Sequence, residues 1–226
     1  MKKLRALINW YTLNYKIWKR YNQYSKLIND TRFWPSETYM KYPPGSTFSG
    51  RKVLNFGCGK STYAAENVTN LDIHPHEGVN VVCTTNALPF EDETFDFVIA
   101  NHVLEHVPNW FESFKELARV VKVGGTIEVW IPPVSSDSAF TYRDHINSIG
   151  IHSFAGCSSI SRSGNNLDAS VLFATLGNVQ RLDIVQVARR PAIKWWILLA
   201  WPSLVEFFSM HLRNTVSEEG FVFRKH

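Results

Sequence analysis

Residues 53–59, with the sequence VLNFGCG, constrain the fold of this chain more than any other segment. The mainly apolar start predicts a buried strand, and the two glycines after it allow the backbone to turn sharply and approach a ligand closely. Asp72 ends a second predicted strand, which places a carboxylate at the end of a neighbouring strand. A carboxylate there can accept hydrogen bonds from a ribose, so the pattern predicts a nucleoside-binding turn. A plain turn between core strands is the alternative, because a lone pair of glycines is a weak signal.

Three further segments follow in order along the chain. The sequence NALPF at residues 86–90 precedes acidic residues and then the strand-like run 95–101. The sequence HVLEHV at residues 102–107 comes directly after that strand. The sequence VGG at residues 123–125 leads into a further apolar run that ends at Pro132.

Taken in this order, the segments resemble the motifs of the class I S-adenosylmethionine-dependent methyltransferases, in particular the type 11 group with small-molecule and quinone methyltransferases. The resemblance covers roughly residues 51–133. It implies an α/β, Rossmann-like class I methyltransferase fold with a mostly parallel seven-stranded sheet between helices. It also implies S-adenosyl-L-methionine as the cofactor, and an enzyme that methylates a small-molecule, sugar or lipid-linked acceptor.

The resemblance assigns roles to the first strand and its loop. Gly57 and Gly59 would lay backbone against the methionine and ribose portions of the cofactor, with Cys58 contributing main-chain contact. Asp72 would accept both ribose hydroxyls through charge-assisted hydrogen bonds. Asn55 stands where the family usually has Asp or Glu, so this site lacks one charge and we expect weaker cofactor binding. If that missing charge weakens the site, Asn55→Asp should tighten binding.

Further roles implied by the resemblance fall on the later strands. Ile73 would lie against the adenine ring, and Asn86 with Ala87 would line its other edge. Asn101 and His102 would reach the methionine end and face the acceptor. The acidic residue usually found shortly before the LPF sequence is missing here, a second departure that predicts weaker cofactor binding and keeps a non-catalytic role open.

A base is needed only if the acceptor must lose a proton during methyl transfer. His102 and His106 are the candidate catalytic residues, because histidine titrates near neutral pH. A structural role stays open for each of them. Residues 142–145, with the sequence YRDH, form a second polar cluster where acceptors commonly meet this fold, although a solvated helix start explains them equally well.

Two other kinds of chemistry are disfavoured. His74, His76 and Cys83 lack a fourth ligand, so we expect no metal site. A nicotinamide-dependent dehydrogenase would need a third glycine where Thr62 stands. A non-catalytic methyltransferase-like partner subunit remains the main alternative to an enzyme.

Composition and charge divide the chain in two. We expect a basic helical N-terminal extension at residues 1–45 and a methyltransferase domain at residues 46–226. Residues 1–30 hold seven Lys or Arg and one acid, whereas the remainder is slightly acidic, which disfavours a nucleic-acid partner. Three cysteines without a CxxC pair indicate a reducing, cytoplasmic location.

The N-terminal segment has aromatic residues near helical spacing and a basic face. Such a helix either packs its aromatic face on the domain or contacts an anionic membrane peripherally. A later apolar run, residues 195–205, is shorter than the roughly 20 residues of a spanning helix.

Periodicity places the predicted elements along the chain. A short two-turn helix is expected between the first two strands, within residues 60–69, and another helix between residues 192 and 211. The predicted strands lie at about 52–56, 69–73, 79–84, 95–101, 126–131, 178–187 and 220–225, with helices at about 109–122 and between 140 and 150.

Overall fold

One seven-stranded sheet organises the protein. The computed structural model describes residues 48, 50–154, 181–191, 213, 214 and 216–226. The strand order is β3-β2-β1-β4-β5-β7-β6. Strands β1 to β5 pair in parallel, and β7 lies antiparallel between β5 and β6. This confirms the expected mostly parallel sheet of a Rossmann-like class I methyltransferase fold. The strands are β1 (Val53–Phe56), β2 (Val68–Asp72), β3 (Val81–Val82), β4 (Phe95–Asn101), β5 (Val121–Ile131), β6 (Leu182–Pro191) and β7 (Val216–Lys225).

Helix α1 (Trp110–Val120) connects β4 to β5 and confirms the helix expected near residues 109–122. Its apolar side chains Phe114 and Leu117 are fully buried against the sheet. Helix α2 (Ser138–Thr141) is a single turn after β5, and it only overlaps the start of the range, residues 140–150, in which a helix was expected. Among the described residues, no helix combines the length and apolar character that crossing a membrane requires.

Alternate side chains of β1 enter two cores on opposite faces of the sheet, as the period of two of a strand requires. Leu54 and Phe56 join the larger core with α1. Val53 joins a smaller core with Phe48 on the other face. The same alternation places Asn55 on the side of the smaller core, where it is buried.

The connection from β1 to β2, residues 57–67, contains no helix, so the predicted two-turn helix is wrong. Buried asparagine side chains make the backbone hydrogen bonds that a helix would have made internally. Asn55 Nδ2 donates to the carbonyl oxygen of Ser61 at 2.9 Å. Asn70 Oδ1 accepts from the backbone N–H of Tyr63 at 3.1 Å, and Asn70 Nδ2 donates to the carbonyl oxygen of Tyr63 at 2.9 Å.

The two asparagines also bind each other. They are opposite in the β1–β2 register, and Asn55 Nδ2 donates to Asn70 Oδ1 at 2.9 Å. Since both partners of Asn55 Nδ2 are oxygens, the position requires a donor, and a carboxylate would face those oxygens with no proton to give. The expectation that Asn55→Asp would tighten the cofactor site is therefore revised, because the amide here organises the crossover.

Two strands differ in length from their predictions. β3 has only two residues at the edge of the sheet. β5 begins at Val121, directly after α1, so that Gly124 and Gly125 lie inside the strand instead of before it. The pairing of β4 with β5 is irregular there, and a Cβ at Gly125 would lie 2.8 Å from the carbonyl oxygen of Lys122. An irregularity of this kind lets the strand continue through a glycine pair that the sequence pattern marks as a turn.

The predicted N-terminal extension, residues 1–45, lies outside the described residues. So does the helix expected between residues 192 and 211. Membrane contact by the basic segment therefore stays a prediction. The last two strands are present as expected, with β6 displaced by about four residues from its predicted range and β7 starting four residues earlier than predicted.

Asn55→Asp should lower the free energy of unfolding at neutral pH by about 2 kcal/mol, because a buried carboxylate would lack the donor that two oxygens require. The loss should shrink as the pH falls, since a protonated carboxyl can donate. Chemical denaturation at several pH values measures the loss of stability and its dependence on pH. Asn109→Asp is the matched control: Asn109 is exposed at the start of α1 and makes no capping bond, so the same change should leave stability equal or slightly higher. Equal losses in the two variants would contradict the role of Asn55.

Candidate functional site

Three residues with expected ligand roles meet at the carboxyl edge of the sheet. Gly57 follows β1, Asp72 ends β2 and Asn101 ends β4. β1 pairs in parallel with both β2 and β4, so all three strands end at the same edge. Ligands of open α/β sheets bind in the crevice at this edge.

The carboxylate of Asp72 holds the glycine loop. Asp72 is buried, and its Oδ2 accepts from the backbone N–H of Gly59 at 2.7 Å. Its Oδ1 accepts from the backbone N–H of His74 at 2.9 Å. A carboxylate offers about four lone-pair sites, so one remains on each oxygen for a ligand hydroxyl. The side chain can therefore order the loop and bind a diol together.

Gly57 and Gly59 both have left-handed backbone, with φ of +61° and +52°. A Cβ at Gly57 would collide with the side chain of Val103, so this glycine lets the loop after β4 approach closely. A Cβ at Gly59 would meet nothing within 4 Å, so the backbone there faces open space that a ligand can enter.

Cys58 lies between the two glycines with its side chain buried. Its backbone N–H donates to the carbonyl oxygen of Leu71 at 2.9 Å, which continues the β1–β2 contact into the loop. Burial and, next, the charge of Asp72 raise the pKa of the Cys58 thiol to about 11. The thiol is therefore neutral at physiological pH, consistent with the main-chain role expected of this residue.

The residues expected around adenine have exposed positions. Ile73, directly after Asp72, is a large exposed apolar side chain. Asn86 and Ala87 are exposed at the start of the LPF segment. Their shared role toward an adenine ring stays a prediction.

The LPF segment is fastened to α1 by an ion pair. Arg119 donates to the carbonyl oxygens of Leu88 at 3.1 Å and Phe90 at 2.8 Å, and binds Glu116 through two of its nitrogens. Glu116 Oε2 in turn accepts from the backbone N–H of Leu88 at 2.9 Å. The hydrogen bond from Arg119 holds the pKa of the Glu116 carboxyl below its usual value. The pair therefore positions the loop that carries Asn86.

Asn101 presents an acceptor without a partner. Its Oδ1 is buried and has no hydrogen-bond partner among the described residues. Buried polar atoms are normally paired, so an orphaned acceptor at a ligand edge indicates that a donor binds there. The ammonium of a methionine moiety is such a donor.

His102 follows Asn101 in a strained conformation, with φ of +50°. Its Nδ1 lies 3.0 Å from Glu105 Oε1, and its Nε2 lies 3.7 Å from Glu218 Oε1. Burial lowers the pKa of His102, but the hydrogen bonds to Glu105 and Glu218 outweigh it and raise the pKa to about 9. The ring is therefore mostly protonated at neutral pH.

His106 lies on the 3-10 turn Leu104–His106 and faces a different set of groups. Its Nδ1 is 3.1 Å from the carbonyl oxygen of Asp144, and its ring stacks edge-on against His145 at 4.7 Å. The structure thus brings the polar cluster at residues 142–145 against the turn, two regions that the sequence analysis considered separately.

The sequence analysis missed two acidic site residues. Glu105 is part of the LEH motif, so its position in the motif could have indicated it. Glu218 comes from β7, far along the chain, and only the antiparallel insertion of that strand beside β5 brings it to His102.

These residues fit S-adenosylmethionine. The open backbone at Gly59 suits the close approach of a ligand, and the lone pairs of Asp72 suit a ribose diol. The orphaned oxygen of Asn101 suits an ammonium group.

Sequence comparisons with known proteins agree with this fit. A family model described as a methyltransferase domain matches residues 54–129. An uncharacterized methyltransferase from Mycobacterium marinum is 28% identical over an alignment of 132 residues, and the match covers 49% of this chain and 51% of that protein. A demethylmenaquinone methyltransferase from Halalkalibacterium halodurans is 27% identical over an alignment of 162 residues, and the match covers 58% of this chain and 65% of that protein. A solved S-adenosylmethionine-dependent methyltransferase from Archaeoglobus fulgidus is 16% identical with a TM-score of 0.49, over 84% of this chain and 90% of that one.

The strand order is that of the Rossmann-like class I methyltransferase fold, and residues 54–129 match the methyltransferase domain family. S-adenosylmethionine is the cofactor that this match implies. The chain covers about half of one curated relative and just under two thirds of the other.

Gly57→Ala should destabilise the protein more than Gly59→Ala, by about 1–3 kcal/mol, because both strain the backbone but only the former overpacks Val103. Thermal or chemical unfolding of the two variants measures the difference. In a double-mutant cycle, Val103→Ala should recover part of the Gly57→Ala loss, since it removes the colliding methyl groups. Equal losses at the two glycines, or no coupling to Val103, would contradict the collision.

Glu116→Gln should lower stability at pH 7 by about 1 kcal/mol, because the Arg119 contact and the Leu88 bond both lose a charged acceptor. The depressed pKa means that this contribution is present above the unfolded pKa and is lost as the pH falls through the folded pKa. Wild type and variant should therefore converge in acid denaturation only once the pH falls below the depressed folded pKa of Glu116. Glu112→Gln is the control, since exposed Glu112 pairs with Lys115 alone among the described residues and its loss should be smaller. A constant gap at all pH values would contradict the ion pair.

Proposed function

We propose that this protein transfers a methyl group from S-adenosylmethionine to a small-molecule acceptor that has an apolar portion. The observation that carries the cofactor half of the proposal is Asp72, whose carboxylate binds the backbone of Gly59 and keeps lone pairs for a ribose diol. The match of residues 54–129 to the methyltransferase domain family supports the same assignment.

Exposed apolar side chains near the 3-10 turn Leu104–His106 support the proposal that the acceptor has an apolar portion. Val134, Phe140, Tyr142 and Ile146 follow β5 and are about half exposed. The backbone N–H of Ile146 donates to the carbonyl oxygen of Glu105 at 2.9 Å, which keeps this segment against the turn that follows His102. A relative named for demethylmenaquinone agrees with an acceptor of this kind. Sugar and lipid-linked acceptors are the alternatives that a substrate screen decides.

The chain's own residues would orient the reactants. When bound, S-adenosylmethionine supplies a methyl group on a positively charged sulfur that leaves as a neutral thioether. Asp72 would accept from the ribose hydroxyls, and Asn101 Oδ1 would accept from the ammonium. Holding both ends fixes the line along which the methyl group travels, and such alignment supplies much of the rate in a displacement of this type.

His102 is the residue of the site that could exchange a proton with the acceptor. A His102 ring with a pKa of about 9 already carries its proton at neutral pH, so it would act as a cationic donor toward a carboxylate or an acceptor oxygen instead of a base. Its pairing with Glu105 and Glu218 keeps that charge in place. An acceptor that is already ionised, or that needs no deprotonation, suits this arrangement best.

Two alternative functions predict different binding. A non-catalytic partner subunit would show no methyl transfer with any acceptor, and a nicotinamide-dependent dehydrogenase would bind a nicotinamide nucleotide in place of S-adenosylmethionine. Calorimetry with both cofactors, followed by S-adenosylhomocysteine release across pools of quinones, phenols, sugars and lipid-linked glycans, separates them. Release only with sugar or glycan pools would refute the apolar small-molecule acceptor while leaving the cofactor assignment intact.

Asp72→Ala should weaken S-adenosylmethionine binding at least tenfold, which corresponds to about 1.4 kcal/mol, because it removes the ribose acceptor and releases the Gly59 N–H. Isothermal titration calorimetry measures the affinity. Glu66→Ala is the control, since Glu66 is exposed on the same crossover and should leave affinity unchanged. Circular dichroism establishes that both variants fold. Unchanged affinity in a folded Asp72→Ala protein would refute the ribose assignment.

A further inference from the structure

A compact group of three metal-ligating side chains lies next to the proposed site. One donor atom from each of Glu105, His106 and His145 lies within 4.8 Å of the other two. Within the described part of the chain, no other group of three or more His, Cys, Asp or Glu side chains is so placed. The sequence analysis had considered only His74, His76 and Cys83 as ligands.

Two buried atoms in this group lack partners. Glu105 uses Oε1 to bind His102 at 3.0 Å, but its Oε2 is buried without a hydrogen-bond partner among the described residues. The Nδ1 of His145 is also buried without a hydrogen-bond partner among the described residues. A buried polar atom that nothing binds loses its contact with water and gains nothing in return, so it destabilises the fold. A cation bound by both residues would satisfy the two atoms together.

Hydrogen bonds to the backbone fix the two segments that carry these three side chains against each other. Ile146 and Asn147 donate their backbone N–H groups to the carbonyl oxygen of Glu105 at 2.9 and 3.1 Å. The Asn147 side chain also donates to the carbonyl oxygens of Leu104 at 3.3 Å and Val107 at 2.6 Å. These bonds fasten the segment that carries His145 to the turn that carries the other two side chains.

Outer contacts of the kind that orient metal ligands are present. His106 Nδ1 lies 3.1 Å from the carbonyl oxygen and 3.3 Å from the carboxylate of Asp144. Ligating histidines normally pair one ring nitrogen with a carboxylate or a carbonyl, which leaves the other nitrogen for the metal. His102 pairs with the first oxygen of Glu105 in a comparable way.

We propose that Glu105, His106 and His145 form a binding site for a divalent transition-metal ion of the zinc type. Two imidazoles and one carboxylate suit Zn²⁺ and its first-row neighbours, whereas Mg²⁺ and Ca²⁺ prefer sites made of oxygen. Three protein ligands leave a fourth position for water or another ligand. In a tetrahedral site with metal–ligand distances of about 2.0–2.1 Å, the donor atoms lie about 3.4 Å apart. The three donor atoms, now within 4.8 Å of one another, would therefore move closer together when the ion binds.

This assignment makes His106 a ligand instead of a proton acceptor. The metal group lies on the turn and on residues 144–147, whereas the proposed cofactor contacts come from Gly59, Asp72 and Asn101. Binding of Zn²⁺ and binding of S-adenosylmethionine can therefore be measured separately, and failure of one does not imply failure of the other.

The test uses the full chain without an affinity tag, stripped of metal and titrated with Zn²⁺ by calorimetry and with Co²⁺ by visible absorption. Wild type should bind one ion saturably, with Co²⁺ bands typical of a low-coordinate N/O site. Glu105→Gln and His145→Ala should each weaken Zn²⁺ binding at least tenfold. His76→Ala is the control: it removes a half-buried loop histidine outside the group that pairs edge-on with His74, and should leave the affinity unchanged.

Circular dichroism and S-adenosylmethionine affinity of the metal-free variants check folding, and His106→Gln replaces either variant that does not fold. Absence of saturable Zn²⁺ binding by wild type would overturn the proposal. Unchanged Zn²⁺ affinity in the folded Glu105 or His145 variants would also overturn it. A loss of Zn²⁺ affinity in His76→Ala, with the other variants unaffected, would do the same.

Discussion

The buried amide pair of Asn55 and Asn70 is the interaction on which the nucleotide side of this domain depends. It joins β1 to β2 at one register position and binds the backbone of the crossover at Ser61 and Tyr63. Asn55 Nδ2 and both side-chain polar atoms of Asn70 have partners of the opposite kind, and buried polar networks stabilise a fold when their members are paired in this way. The network sets where the crossover lies, and through it the position of the loop that begins at Gly57.

Electrostatically, the site is organised by two carboxylates. Asp72 binds backbone N–H groups at the end of β2, and charge-assisted bonds of this kind are stronger than neutral ones. Glu105 is shared: one oxygen pairs with His102 and the other lies unpaired in the group with His106 and His145. The end of β4 therefore connects the ligand edge to the neighbouring turn through a single side chain.

Patterns of local origin predicted much of the structure. Strand β4 and helix α1 were recognisable because their apolar residues are mostly buried, and β1 and Asp72 were recognisable from the order of the motifs. The crossover was predicted wrongly because nothing local shows that Asn70 will satisfy its backbone. The group at Glu105 and His145 could not be found either, because its members are far apart in sequence and meet only when the segment after β5 folds back.

A crossover held by side chains of the sheet has a consequence for the order of folding. A helical connection can begin to form by itself, since each turn closes its own hydrogen bonds. Residues 57–67 make only isolated turn hydrogen bonds of their own, and Ser61 and Tyr63 also bind Asn55 and Asn70 on strands that must first pair. Ordering of the glycine loop should thus follow β1–β2 association, and the cofactor edge becomes one of the later parts of the domain to assemble.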